Sequence, residues 1–184
     1  MYRVDDNPLP RFPEDSPLEA DAGKWSVAHL KSRREKALAL ELAAEGVAYY
    51  LPLYVKRTVR RDNRKPRKSV CPLFPGYMAV APSEAQKGAL AANRNVARLV
   101  GVVDQKRFVR ELEQIRAVLS KDLEFRVHGT LLPGARVRVV SGLLAGMEGV
   151  VLKSGGRTRL LIAIEMFSQA ISVEINESEL QTIA

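Results

Sequence analysis

Eight cations fall within thirteen residues: Lys56, Arg57, Arg60, Arg61, Arg64, Lys65, Arg67 and Lys68, against a single acid, Asp62. Guanidinium and ammonium groups at this density suit one task, the neutralisation of phosphate oxygens, which positions a nucleic acid without reading its bases. A charge run is more often a solvated tip. This one, however, has net charge +7 in a chain whose total is +8, which favours phosphate contact. Lys31, Arg33 and Arg34 lie upstream and extend the patch. The charge is also confined. Residues 1–23 carry two basic and six acidic groups, residues 24–128 carry 22 and 10, and residues 129–184 carry five of each. A basic middle between an acidic start and a neutral end places any polyanion contact in one part of the chain.

Other chemistries are poorly served. One cysteine, Cys71, and two scattered histidines, His29 and His128, give no basis for a disulfide, a metal site or a Ser-His-Asp triad. No glycine-rich loop leads from a strand into a helix, so a nucleotide cradle is unsupported. No enzyme activity, cofactor or metal is expected. No apolar run approaches the ~20 residues that span a bilayer, and no signal-like apolar stretch follows the first residues. The expectation is a monomeric cytoplasmic protein without membrane contact.

The elements that must position these residues follow from periodicity. Residues 1–23 hold four of the ten prolines and read as a flexible acidic tail. Trp25–Leu30 alternates like a strand. Ser32-Arg33-Arg34-Glu35 reads as a capping box for a helix carrying Leu38 and Leu42, with Gly46 as its stop. Residues 48–60 read as a strand with an edge or bulge at Pro52, and Arg67–Ala81 as its return, interrupted by Pro72 and Pro75. The pair makes a hairpin with a basic tip around Asp62-Asn63. Ser83-Glu84-Ala85-Gln86 opens a short helix, Val96–Val103 is a strand, and Phe108, Leu112, Ile115 and Leu119 line a third helix after Asp104. The order β-α-β-β-α-β plus a helix is α+β and ferredoxin-like over residues 24–121. Residues 122–132 read as a linker. Seven of the twelve glycines then lie between 129 and 184, where five short runs suggest a small β-barrel over residues 133–184.

Two motifs sharpen this. Pro133-Gly134-Ala135-Arg136-Val137-Arg138-Val139-Val140 leads into Ser141-Gly142-Leu143-Leu144-Ala145-Gly146-Met147-Glu148-Gly149-Val150-Val151. Gly142, Gly146 and Gly149 suit positive-φ turns, and Val137, Val139 and Val150 suit a core. The run resembles the KOW motif, with Gly134 and these glycines and valines at matching positions. Trp25 opening the first strand and Leu73-Phe74-Pro75-Gly76-Tyr77-Met78-Ala79-Val80 in the third are similar to the N-terminal domain of the NusG transcription factors. The resemblance covers roughly residues 24–184.

The resemblance implies an elongation factor whose N-terminal domain docks on the clamp helices of RNA polymerase through an apolar depression and suppresses pausing and termination. It assigns polymerase contact to Phe74, Pro75, Tyr77 and Ala79, with His29 on the neighbouring strand. Strand alternation makes Tyr77 and Ala79 the surface contacts and Phe74 a core residue. The basic face is expected to meet the single-stranded non-template DNA or nascent RNA. The KOW domain is expected to recruit Rho or a small-subunit ribosomal protein. General family members carry a Tyr-Ser-Gly type segment and a Thr-Pro-Gly-Val run. Here those places read Leu30-Lys31-Ser32-Arg33 and Asn93-Arg94-Asn95-Val96-Ala97-Arg98-Leu99-Val100-Gly101, closer to the RfaH-like and UpxY-like antiterminators. The alternatives are a housekeeping elongation and Rho-dependent termination factor, and a free RNA-binding or ribosome-associated KOW protein.

Overall fold

A computed structural model describes residues 7–21, 23–59, 66–121 and 123–183. The chain forms two compact units, Met1–Gln105 and Lys106–Ala184. The first runs β1 (Arg11–Phe12), β2 (Ser26–Leu30), α1 (Glu35–Ala44), β3 (Ala48–Tyr50), β4 (Leu53–Val59), β5 (Pro66–Pro72), β6 (Tyr77–Ala81), α2 (Glu84–Ala91) and β7 (Val96–Gly101). Five strands make an antiparallel sheet in the order β1-β3-β6-β2-β7, and β4 pairs with β5 in a separate two-stranded ribbon. The two long strands expected over 48–60 and 67–81 are therefore four. Pro52 separates β3 from β4, and a turn over residues 73–76 separates β5 from β6, because proline cannot continue a ladder as a donor.

The core on one side of the sheet explains the local choices. Ala28 and Leu30 of β2, Met78 and Val80 of β6 and Tyr49 of β3 pack with Leu38, Ala39 and Leu42 of α1. The helix ends where Gly46 takes φ 68° and the Val47 N–H donates to the Leu42 carbonyl at 2.9 Å, a stop that glycine permits at low cost. At α2 the expected box forms, with the Ser83 N–H donating to Gln86 Oε1 at 3.0 Å. At α1 it does not. The cap is Arg34, which makes no side-chain cap bond, and Glu35 is buried with its carboxylate turned elsewhere.

Residues 7–21 are not the free tail expected from their prolines and acids. β1 extends the sheet beside β3, and the Leu51 N–H donates to the Pro10 carbonyl at 2.8 Å. Arg11 and Asp21, with side chains 5% and 3% exposed, form an ion pair in which Arg11 Nη2 meets both carboxylate oxygens at 2.8 and 2.7 Å. The guanidinium lies 5.6 Å from the Trp25 ring centroid, and Trp25 Nε1 donates to the Leu18 carbonyl at 3.0 Å. Leu18 is itself buried. Composition over the whole segment hides three side chains that do the anchoring.

In the second unit α3 (Gln105–Ser120), whose first residue closes the first unit, is followed by β8 (Phe125–His128), β9 (Ala135–Val139), β10 (Glu148–Ser154), β11 (Arg157–Ile164), β12 (Gln169–Glu174) and β13 (Leu180–Thr182). The sheet order is β13-β9-β10-β11-β12-β8. Two expectations change here. The segment read as a linker supplies β8, which pairs Phe125 with Val173 and His128 with Ala170. The five-stranded barrel is a six-stranded sheet that, among the described residues, stays open, since no pairing joins β13 to β8. α3 packs within the second unit. The Glu165 N–H donates to Glu111 at 3.1 Å, the Glu148 N–H donates to Gln114 at 2.6 Å, and Phe108 meets Phe167 edge-on at 6.0 Å. Burial pushes the Glu111 carboxyl up to about 7.

Arg11→Ala should destabilise the protein by about 3 kcal/mol, because it leaves Asp21 as an uncompensated buried charge. Denaturant unfolding checks this, and a loss below about 1 kcal/mol would mean the pair behaves like an exposed one.

Candidate functional site

The basic ribbon is built by register. β4 and β5 pair Leu53 with Pro72, Val55 with Val70, Arg57 with Lys68 and Val59 with Pro66, so these side chains share one face. The other face carries Tyr54 opposite Cys71, Lys56 opposite Ser69 and Thr58 opposite Arg67. Lys56, Arg57, Arg67 and Lys68 are exposed, and among the described residues none of the four meets a carboxylate. Arg60, Arg61, Arg64 and Lys65 lie outside the described residues. The ribbon is tied to α1 at its base, where Lys36 Nζ donates to the Val70 carbonyl at 2.6 Å. Lys31, Arg33 and Arg34 are exposed in the loop that opens the same helix, and Arg33 adopts a left-handed φ of 60°.

A second cluster lies at one end of the sheet. His29 of β2 stands between Tyr77 of β6 and Arg98 of β7 as cross-strand neighbours. The His29 and Tyr77 rings meet at 4.8 Å with 60° between their planes. Burial, followed by the Arg98 charge, lowers the His29 pKa below its ordinary value. A neutral imidazole at pH 7 beside a phenol hydroxyl offers hydrogen bonding within a half-apolar surface. Pro75 is exposed and Tyr77 half-buried, so both reach the surface. Phe74 is buried, as expected. Ala79 is not a surface contact: it is buried between Val27 and Tyr50. Ala79 shares the face of Tyr77, as alternation requires, but that face is covered at Ala79, whose neighbours Val27 and Tyr50 are themselves buried; residues 73–76 are a turn, with Gly76 at φ 85°, and the strand begins at Tyr77.

Glu35 positions this cluster and was missed as a site residue. Its buried carboxylate accepts the Gly76 N–H at 2.8 Å, while the Gly76 carbonyl accepts the Leu30 N–H at 2.8 Å. The sequence signal was an acid in the first turn of a helix, which reads equally well as half of a capping box. Arg98 was missed because its place beside His29 depends on strand pairing.

In the second unit Val137 and Val139 are buried and Val150 half-buried. Gly142 and Gly146 have φ of 82° and 87°, as turn glycines should. Gly149 has another reason to be glycine. It lies in β10, where a Cβ would fall 2.3 Å from the Leu161 carbonyl oxygen. A Cβ at Gly134 would likewise meet Val150 at 2.5 Å.

A family model described as transcription termination factor nusG matches residues 23–119, more than half of the chain. The chain belongs to the NusG family. It is similar to a solved structure described as domain interaction in Thermotoga maritima NusG, with 20% identity over 88% of this chain and 97% of that one and a TM-score of 0.45. No curated protein matches the chain. Among the described residues no helix is long and apolar enough to cross a membrane. The NusG-family match contains the Tyr77 cluster, the ribbon and Glu35.

Glu35→Ala should cost about 2 kcal/mol, since it removes a buried charged acceptor from a backbone donor. Glu35→Gln, which keeps an acceptor, should lose less. Hydrogen exchange at the Gly76 amide, alongside denaturant unfolding, reads both. Equal protection of Gly76 in the alanine variant would remove Glu35 from the positioning of this turn.

Proposed function

We propose that this NusG-family protein is a non-enzymatic transcription elongation factor that binds RNA polymerase through the surface around Pro75, Tyr77 and His29 and opposes pausing and termination. The observation that carries the reading is the His29–Tyr77 pair, an edge-on aromatic contact left half-exposed at one sheet end. A surface of this kind supplies apolar area and a hydrogen-bonding tip together, as protein interfaces favour. The order β3-β6-β2-β7, with one helix between β2 and β3 and another between β6 and β7, supports reading the first unit as ferredoxin-like. The glycine and valine spacing of residues 134–150 supports reading the second as a KOW domain that recruits a protein partner, Rho or a small-subunit ribosomal protein. Its neutral charge points away from nucleic acid as that partner. The cations of the ribbon and of the loop at Lys31, Arg33 and Arg34 are assigned to nucleic acid at the transcription bubble. The factor acts in the cytoplasm as a monomer and, within the family, as a specialised antiterminator.

Transcription in vitro with the cognate polymerase, with and without Rho, tests this. The wild-type chain should shorten pauses and raise read-through. A rise in Rho-dependent termination would instead assign the housekeeping role.

A further inference from the structure

We propose that residues 13–21 form a strap that covers part of the docking face of the first unit, and that this strap lifts when a protein partner takes the whole of that face. This rests on the reading of the Tyr77 cluster as a docking surface and adds the means by which that surface is regulated.

The place of the strap follows from register. Arg11 of β1, Tyr50 of β3, Ala79 of β6 and Val27 of β2 are successive cross-strand partners, so their side chains form one row on one face of the sheet. The same face carries Tyr77 and His29, two residues along from Ala79 and Val27 on the same strands. The opposite face packs on α1: Phe12 stacks on Tyr49, and Tyr49 belongs to the α1 core. The strap leaves β1 at Phe12 and runs on the Arg11 side. Arg11 Nη2 meets the Asp21 carboxylate and donates to the Pro17 carbonyl at 3.4 Å, the guanidinium faces the Trp25 ring, and Trp25 Nε1 donates to the Leu18 carbonyl. Exposure along the face changes accordingly. Arg11, Tyr50, Ala79 and Val27 are 4%, 3%, 0% and 0% exposed, while His29 and Tyr77 are half-buried and Arg98 is exposed.

Side chains hold the strap closed. Among the described residues no backbone hydrogen bond joins residues 13–21 to a strand of the sheet, and the Ala20 N–H donates within the strap, to the Pro17 carbonyl at 3.1 Å. Of the described residues 13–20 only Leu18 is buried, and it is not part of the α1 core. Lifting the strap returns Arg11 and Asp21 to water together, so the hydration regained offsets the Coulomb energy lost, and one leucine side chain leaves its contacts. A segment with so few buried apolar contacts belongs to the part of a fold that opens locally. Beneath it lie Tyr50, Ala79 and Val27, an apolar row that continues the half-apolar surface of Tyr77 and His29. Exposure of that row to water is unfavourable, so it is stable under the strap or under an apolar surface of a partner. The partner is the polymerase surface that meets Tyr77, and strap and partner exclude one another from the row.

Binding of the full chain to the cognate polymerase is measured for wild type, L18M, L18E and Y77D, with amide hydrogen exchange over residues 16–21 in the free and bound wild-type chain. A glutamate is not buried unpaired where Leu18 sits, so L18E holds the strap open, whereas L18M keeps it closed. A strap that is open about a tenth of the time weakens apparent affinity about tenfold, so L18E should bind roughly tenfold tighter than wild type and L18M about equally. Exchange over residues 16–21 should quicken on binding. L18E should keep the circular dichroism and cooperative unfolding of the wild type; if it does not, the exchange result in the wild-type chain decides alone. Unchanged or weaker binding by folded L18E, or slower exchange over residues 16–21 in the complex, overturns the cover and makes the strap a fixed part of the surface. Y77D separates the two readings. Loss of binding in Y77D with no gain in L18E retains the docking surface and removes the cover. A gain in L18E while Y77D binds normally keeps the cover and moves docking onto the row of Tyr50, Ala79 and Val27. No change in either variant overturns both.

Discussion

The peptide of Gly76 is held from both sides, and the candidate surfaces of the first unit depend on it. Its N–H reaches the buried carboxylate of Glu35 at the start of α1, and its carbonyl takes the N–H of Leu30 at the end of β2. A carboxylate is costly to bury unless it is hydrogen-bonded, so this contact is needed wherever Glu35 sits. The left-handed φ of 85° at Gly76 lets the chain turn sharply enough to satisfy both bonds. Three consequences follow. Tyr77 starts β6 in register with His29, the loop carrying Lys31, Arg33 and Arg34 is fixed at the same end of α1, and Pro75 is left at the surface.

The ribbon is joined to the same helix one residue further on. Lys36 reaches the Val70 carbonyl, so α1 carries the turn before Tyr77 on one side and the base of the basic ribbon on the other. A two-stranded ribbon is marginal alone, and attachment to a helix at its base is what lets it project. The arrangement divides the surface by chemistry, with a half-apolar aromatic cluster suited to protein and a ribbon whose described cations meet no described carboxylate and suit phosphate. Membership of the NusG family gives that division a setting in transcription.

Much of this was legible in the residues. The alternation of Trp25–Leu30, the apolar spacing of Leu38 and Leu42, the box at Ser83 and the β-branched run from Val96 became β2, α1, α2 and β7, with Trp25 just ahead of its strand. What failed did so for identifiable reasons. Ser32 and Glu35 have the spacing of a cap, but a buried acceptor for Gly76 outcompeted it. Residues 7–21 look polar in composition, yet Arg11 meets Asp21 10 residues away and the Tyr49 carbonyl 38 residues away, and Leu18 is buried. Gly149 was read as a turn glycine, whereas the close approach of the β11 backbone is what excludes a side chain there. Period-two reasoning put Ala79 on the face of Tyr77, but which part of that face is covered depends on the neighbouring strands, where Val27 and Tyr50 are buried.

The most direct measurement is site-specific photo-crosslinking from position 77 in a reconstituted elongation complex, with a parallel probe at Leu143 in the second unit. The expected result is a crosslink from position 77 to a polymerase subunit that excess unlabelled protein competes away. A position-77 probe that captures nothing, while the Leu143 probe captures polymerase, would contradict the assignment of the docking surface to the Tyr77 cluster.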